Sequence, residues 1–290
     1  MIEPSELIIN KDGSVFHLHL KPEQIAGDII LVGDPGRVDL IAGYLTNLEF
    51  RNQNREFVSV TGTYNEKRIT VISTGIGTDN IDIVVNELDA LANIDLVKRE
   101  IKPTHRSLNI IRIGTSGGLQ DYLPVNSFVI SKKAIGFDGL LNFYAGRNSV
   151  SDLNFEKAFK AHTNWNPLLT SPYVVNCSEK LFSKIHDDKT FSGVTISAPG
   201  FYGPQGRVLR LPLADPDINS KIESFSFGGM KITNYEMECS AVYGLSALLG
   251  HNALTVCAII ANRVDKNANE TYNEAIEKLI HLVLEKISKK

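Results

Sequence analysis

Three times in this chain a short run of apolar, largely β-branched residues stops at glycine. Ile29-Ile30-Leu31-Val32 ends at Gly33, Arg68-Ile69-Thr70-Val71-Ile72-Ser73 runs into Thr74-Gly75-Ile76-Gly77-Thr78, and Asn109-Ile110-Ile111-Arg112-Ile113 ends at Gly114. Short continuous runs of this kind read as buried strands. Helix-period segments lie between them, and that alternation builds an α/β sheet covered by helices. Ligands in such sheets bind outside the carboxyl ends of the strands. Three glycine loops at three strand ends therefore point to one shared crevice.

The remaining elements follow the same logic. Phe57-Val58-Ser59-Val60 and the strand at 68–73 are separated by Gly62-Thr63-Tyr64-Asn65-Glu66-Lys67, which predicts a hairpin. Phe128-Val129-Ile130-Ser131, Val194-Thr195-Ile196-Ser197, Lys231-Ile232-Thr233-Asn234-Tyr235 and residues 255–261 are further predicted strands. Helices are predicted over 79–93, 178–187, 216–226, 239–249 and 272–288, the last with Ile276, Leu279, Ile280, Val283 and Ile287 on one face. No repeat and no linker-like composition divides the 290 residues, so a single domain over 1–290 is expected. The least regular stretch, 139–175, carries Asn142, Gly146, Asn148, Asn164, Asn166 and Pro167 and is expected to form a surface excursion or lid.

A net charge of −3 recommends neither nucleic acid nor an anionic membrane as a partner. The only basic cluster, Lys286, Lys289 and Lys290, reads as a solvated helix end. Cys177, Cys239 and Cys257 are far apart with no CxxC, which suggests neither a zinc site nor a disulfide framework. The N-terminus has Glu3 and Glu6 in place of a basic region, and no apolar run is long enough to span a membrane, so a cytoplasmic location is expected.

Four motifs carry chemistry. Gly33-Asp34-Pro35-Gly36-Arg37 joins a strand to a helix-like segment, where free N–H groups and a guanidinium suit an anion; a Pro-Gly turn with a surface arginine is the alternative. Arg112 stands in an apolar strand and needs either a carboxylate or an anionic ligand, with the Thr115 and Ser116 hydroxyls beside it. Gly200-Phe201-Tyr202-Gly203-Pro204-Gln205-Gly206-Arg207 offers an aromatic face, a side-chain amide and a guanidinium, enough to stack on and read a flat lactam; the alternative is an ordinary surface loop. Asn234-Tyr235-Glu236-Met237-Glu238-Cys239 places two acids two residues apart at a strand-to-helix junction, where an extended backbone points both into one cavity; a solvated helix start, where acids favour the macrodipole, is the alternative. Two acids on one face cannot straddle a glycosidic bond, which excludes a glycosidase pair. His17 and His19 form an H-x-H pair, but no further ligands accompany them, so a zinc site is not expected.

Together these motifs resemble the nucleoside phosphorylase family that includes uridine phosphorylase and the hexameric purine nucleoside phosphorylases. The resemblance runs from Val15-Phe16-His17-Leu18 to Asn262-Arg263, with Gly-Asp-Pro, Arg-Glu-Phe, Ser-Thr-Gly-Ile-Gly, Arg-Ile-Gly-Thr, the Gln205-x-Arg207 pair and Asn-Tyr-Glu-Met-Glu in the family's order. It implies a single-domain phosphorylase/hydrolase-like α/β fold, a mixed central sheet forming a distorted barrel flanked by helices.

The resemblance also assigns roles. Gly33, Arg37, Arg112 and Thr115 would hold phosphate, joined by Arg55 of a neighbouring subunit. Glu238 would grip the ribose hydroxyls with Glu236 in support, Met237 would pack on the sugar, and the neighbour's His17 would bond the 5′-hydroxyl. Phe201, Gln205 and Arg207 would hold a pyrimidine, with Arg263 close behind and Ile260-Ala261 lining its 5-position. Arg112, Thr115, Gln205 and Arg207 would be the catalytic set. Purine members place an acid near the Asn262 position, and the amide here weakens a purine phosphorylase or nucleosidase reading. No cofactor is required, since phosphate is a substrate. A potassium site of the kind some relatives carry would fall on Glu56, Ile76 and Asn80. The expected activity is phosphorolysis of uridine, with deoxyuridine and thymidine as further candidates, by a dimer or a hexamer built as a trimer of dimers. A non-catalytic nucleoside-binding protein is the alternative from another class.

Overall fold

The apolar run at 29–32 forms β1 (Asp28–Val32), which leads into α1 (Pro35–Ala42). An antiparallel series follows, β2 (Thr46–Asn54), β3 (Phe57–Tyr64) and β4 (Lys67–Ser73), and then α2 (Thr78–Asn93). A small ribbon, β5 (Ile94–Asp95) and β6 (Glu100–Ile101), precedes the long strands β7 (Asn109–Gly118) and β8 (Phe128–Gly136). Next come α3 (Arg147–Val150), α4 (Leu153–Thr163), β9 (Tyr173–Asn176), α5 (Glu179–Ile185) and β10 (Thr190–Ser197). The chain continues through α6 (Ile218–Ser224), β11 (Ser226–Phe227), β12 (Met230–Glu236), α7 (Cys239–Leu248), β13 (Asn252–Asn262), β14 (Asn267–Ala268) and α8 (Asn273–Ser288). This computed structural model describes residues 1–264, 267–268 and 271–289.

The large sheet runs β11-β12-β10-β8-β13-β7-β1-β4-β3-β2, and β12 also pairs with β7. That extra pairing closes β12, β10, β8, β13 and β7 into a ring, the distorted barrel expected from the sequence, while β1, β4, β3 and β2 extend from it as an open wing. The ring mixes parallel pairs with the antiparallel β8–β13 and β7–β12 contacts. Beyond Ile113, where a glycine loop was expected, β7 instead stays extended to Gly118. The reason is the ring itself, since Gly117 and Gly118 lie opposite Tyr235 and Asn234 of β12, and glycine admits a close backbone approach.

Register sets the level of the functional residues. Val32 pairs with Ser73 on one side and Ile113 on the other, and Ile113 pairs with Val256. β1 and β4 therefore end level, and Gly33 and Thr74 emerge together beside Gly114 of the longer β7. The predicted hairpin is present, with longer strands and only Asn65 and Glu66 in the turn, at φ 46° and 65°. β2 was not anticipated. It is a largely exposed edge strand with a polar sequence, so neither alternation nor an apolar run marks it.

The 139–175 stretch contains α4 and β9, and β9 extends the sheet by pairing with β8. Phe155 and Phe159 of α4 are fully buried. Both stack edge-on against Phe225, each with centroids 5.3 Å away. Gly139 enters this stretch in the left-handed conformation at φ 74°. The polar residues that made the region look irregular lie mostly in its turns. Lys286 pairs with Asp187 at 2.7 Å, so the C-terminal basic cluster is partly neutralised, and Lys290 lies outside the described residues. No described helix is long and apolar enough to cross a membrane.

Truncating a fully buried phenylalanine removes its transfer energy and leaves a cavity, so Phe155→Ala is expected to lower unfolding free energy by about 3–5 kcal/mol. Urea titration measures this; a loss under about 1 kcal/mol would show that α4 is not part of the cooperative core.

Candidate active site

The site is built around Arg112. Its side chain is about 5% exposed, on a ring strand where water cannot solvate it. Two carboxylates from the β12–α7 junction meet it. Nη1 lies 3.2 Å from Glu236 Oε2, and Nη2 is hydrogen-bonded to Glu238 Oε2. The expectation that Glu236 and Glu238 face one cavity thus holds, and Arg112 is their shared partner. The Arg112 Nε donor is buried without a partner among the described residues.

The acids differ in their other contacts. Glu236 Oε2 accepts from the backbone N–H groups of Glu238 and Cys239, at 2.9 and 2.8 Å, and so covers the start of α7. Its Oε1 accepts from the Ser197 hydroxyl of β10. Glu238 Oε1 accepts from Gly77 N at 2.7 Å, tying α7 to the loop before α2. Met237, between them, is half-buried. Burial pushes the Glu236 carboxyl up to about 7; Arg112 opposes that shift and the neighbouring Glu238 adds to it. Burial also works against the charge on Arg112, but Glu238 and Glu236 outweigh it and hold the guanidinium above its ordinary range.

The glycine loops converge here. A Cβ on Gly33 would stand 3.5 Å from the Gly75 carbonyl, so the loops after β1 and β4 touch. Asp34 caps α1 by accepting from Gly36 N at 3.0 Å, and Arg37 stands in that first turn, half-buried and without a side-chain partner among the described residues. Thr115 is half-buried three residues beyond Arg112 on the same strand.

His17 and Arg55 sit at the same end of the sheet but at its open edge. Asn54 Nδ2 donates to the His17 carbonyl at 2.7 Å, and Arg55 projects from the β2–β3 turn at φ 53°, exposed. No hydrogen bond or ion pair joins either to Arg112, Glu236 or Glu238 among the described residues. His17 is oriented by a residue the sequence reading missed, Glu87 of α2, which accepts from His17 Nδ1 at 2.7 Å and Leu18 N at 2.8 Å. An acid on the same helix face as Val84, Leu88 and Leu91 was the available signal. Glu56 and Asn80 both flank Gly75, next to the exposed Ile76, so the three expected cation positions are brought together.

The loop at 201–207 forms a second cluster. Gly203-Pro204-Gln205 makes a single tight turn ended by Gly206 at φ 68°. Gln205 is 3% exposed within an otherwise exposed loop. Its Oε1 accepts from Arg207 Nη1 at 2.6 Å and from Arg263 Nη2 at 3.3 Å, and Arg263 Nη1 also donates to its carbonyl. Two guanidinium donors on one oxygen fix the amide's orientation and leave Nε2 without a protein partner among the described residues. The Arg207 guanidinium also lies 3.7 Å from the Phe201 ring centroid, covering one aromatic face that had been expected to be open. Arg263 lies over the Tyr235 ring at 5.0 Å, and burial, with Arg207 beside it, brings its pKa down to about 10. β13 bulges between Ile259 and Ala261, which turns the half-buried Ile260 out of the ladder. Asn262 is buried, its amide donating to the carbonyls of Gln120 and Leu123 at 2.9 and 2.7 Å.

Three potential metal ligands meet elsewhere, at Asp89, His105 and His251. Leu108 N donates to His251 Nδ1 at 3.2 Å, which places the ring proton on Nε2, the nitrogen 3.2 Å from Asp89. That nitrogen then has no lone pair for a cation.

The raised carboxyl of Glu236 has a consequence for stability. The folded state holds this proton more tightly than the unfolded chain, so its contribution is full below about pH 4.5 and is lost as pH rises towards about 7. Glu236→Gln is therefore expected to flatten the decline in urea midpoint between about pH 5 and 7. Identical slopes for both proteins would contradict the shift.

Comparison with known proteins places this geometry. Residues 28–288 match the family model described as the phosphorylase superfamily. A uridine phosphorylase of Haemophilus influenzae is 29% identical, covering 93% of this chain and 96% of its own length. A DeoD-type purine nucleoside phosphorylase of Clostridium perfringens is 31% identical, covering 89% and 90%. Among solved structures, a Trypanosoma brucei nucleoside phosphorylase described as showing uridine phosphorylase activity superposes with a TM-score of 0.88, at 29% identity over 98% of this chain and all of that one. With the match spanning the sheet, the Arg112 pocket and the Gln205 loop alike, the chain belongs to the phosphorylase superfamily.

Proposed function

We propose that this protein catalyses the phosphorolysis of uridine to uracil and ribose 1-phosphate, a step in pyrimidine nucleoside salvage. The choice of base rests on Gln205. Its oxygen is held by Arg207 and Arg263, so Nε2 is the donor left for a ligand, with a guanidinium at its side. An amide and a guanidinium side by side suit the carbonyl edge of uracil. The relatives described as uridine phosphorylases support the same reading. The purine phosphorylase relative keeps purine nucleosides as the second reading. Against it, Asn262 is an amide tied to backbone carbonyls at the position where purine members carry an acid.

In this mechanism phosphate lies beside Arg112, Arg37, Thr115 and Gly33, where the unpartnered Arg112 Nε supplies a ready donor. A phosphate oxygen attacks C1′ as the C1′–N1 bond breaks, and the bonding pair passes to N1 and into the ring carbonyls. Positive charge on the sugar is stabilised by the phosphate, and negative charge on the base by Gln205 and Arg207. Each aimed donor contributes roughly 3–4 kcal/mol in the transition state. Glu238 grips the ribose hydroxyls and Met237 packs on the sugar. His17 and Arg55, at the open edge, complete the site of a second copy, which makes the active form at least a dimer; the family resemblance extends this to a trimer of dimers.

Incubation with uridine is expected to release uracil only when phosphate is present, and far more slowly with inosine; no phosphate-dependent release would end the proposal. Thymidine tests breadth, and a kcat/KM below about 1% of that for uridine, roughly 2.7 kcal/mol, would exclude it as a substrate. Glu238→Ala is expected to lower kcat/KM for uridine about tenfold more than for 2′-deoxyuridine, because a charged hydrogen bond of roughly 1.5–3 kcal/mol is already missing in the latter. Equal losses would count against the clamp.

A further inference from the structure

Gln205 is held almost fully buried in a loop whose neighbours Phe201 and Tyr202 are 50% and 54% exposed. The turn contains no long backbone ladder to account for that. Its carbonyls are instead gathered by side chains from elsewhere. Arg263 donates to the Gln205 carbonyl. Asn219, in the first turn of α6, directs Nδ2 at the same carbonyl, 3.4 Å away, and at the Gly206 carbonyl, 3.2 Å away. The Asn219 oxygen accepts from the Tyr235 hydroxyl at 3.2 Å.

Tyr235 is 1% exposed, immediately precedes Glu236, and presents its ring to the Arg263 guanidinium. One carboxamide therefore links three parts of the site: the turn that carries Gln205, the aromatic support of Arg263, and the strand that ends in the paired acids. The fit is tight, since a Cβ added to Gly206 would stand 2.2 Å from Asn219 Nδ2. Glycine at φ 68° is what lets the amide lie against the turn.

We infer that Asn219 is a positioning residue for base recognition, setting where Gln205 presents its amide without itself touching substrate. The inference rests on the reading of Gln205 as the group that meets the base. An asparagine is needed because the two faces it serves have opposite polarity. The carbonyls of Gln205 and Gly206 require a donor, and the Tyr235 hydroxyl requires an acceptor. Asn219→Asp keeps the acceptor and replaces the donor with an oxygen facing two carbonyl oxygens. Asn219→Leu keeps the size and removes all three bonds.

The test is steady-state kinetics of both variants beside the wild type, varying uridine at saturating phosphate and phosphate at saturating uridine. Displacing a substrate-reading group by about 1 Å can cost 10²-fold, so Asn219→Asp is expected to lower kcat/KM for uridine about 10–100-fold. Asn219→Leu should fall between it and the wild type. The KM for phosphate should stay within about twofold, and the ratio of uridine to 2′-deoxyuridine activity should not change, because Arg112 and Glu238 are not displaced. Unchanged uridine kinetics in Asn219→Asp, or a parallel rise in the KM for phosphate, would overturn the inference. If the wild type itself turns over no uridine, the functional proposal fails separately. The positioning role is then read from a crystal structure of Asn219→Asp: a Gln205 carbonyl displaced from Arg263 supports it, and an unmoved turn refutes it.

Discussion

The rest of the site depends on a guanidinium kept dry between two carboxylates. Burying Arg112 without a partner would cost several kcal/mol, and removing both acids would leave an uncompensated charge. Its partners lie far along the sequence, on the β12–α7 junction, and reach it only because β12 crosses to pair with β7 as well as β10. Ring closure and charge pairing are therefore two sides of one arrangement. The glycines at 117 and 118 let the strands meet, and the meeting brings Glu236 and Glu238 to Arg112.

The pocket is short of positive charge. One guanidinium faces two acids, and burial raises the Glu236 carboxyl above the ordinary carboxylate range. An incoming phosphate adds further negative charge to the same space. On the proposed function, Arg37 at the crevice edge and Arg55 of a second copy, on its exposed β2–β3 turn, are the cations that would meet it. Their side chains lack ion-pair partners among the described residues, which fits groups reserved for an anion. The base end follows a different economy of contacts. Arg207 and Arg263 direct donors at Gln205 and its loop, so they orient its amide as well as charging the pocket.

The parts of this structure that could be read from the sequence are those encoded in local pattern. Apolar runs ending in glycine marked β1 and β4 and the level of the crevice, and Ile276, Leu279, Ile280, Val283 and Ile287 marked α8. Arg112 in an apolar strand announced the need for a partner. What escaped reading depends on distant contacts. β2 is polar because it lies at an edge, and α4 was obscured by the asparagines and glycines of its flanking turns although Phe155 and Phe159 carry its packing. β7 runs past Gly114 because β13 stays paired with it to Gly118 and β12 lies along its far end. Asn219 looks like an ordinary helix-surface residue until the fold brings the Gln205 turn against it, and Glu87, an acid on the apolar face of α2, shows its partner only once His17 is folded against it. The convergence of Arg263 on Gln205 was legible through family resemblance and not through spacing.

The two ends of the site are anchored by unlike means. The acids hang from β12, which is stitched into ladders on both sides, whereas the Gln205 turn is fastened mainly by side-chain contacts from Asn219, Arg207 and Arg263. A ladder tolerates little drift, since a shift of one residue reverses every side chain along it. A side-chain fastening can be exchanged one substitution at a time. Such a scaffold lets the Gln205 turn change by single substitutions while the Arg112 pocket stays fixed.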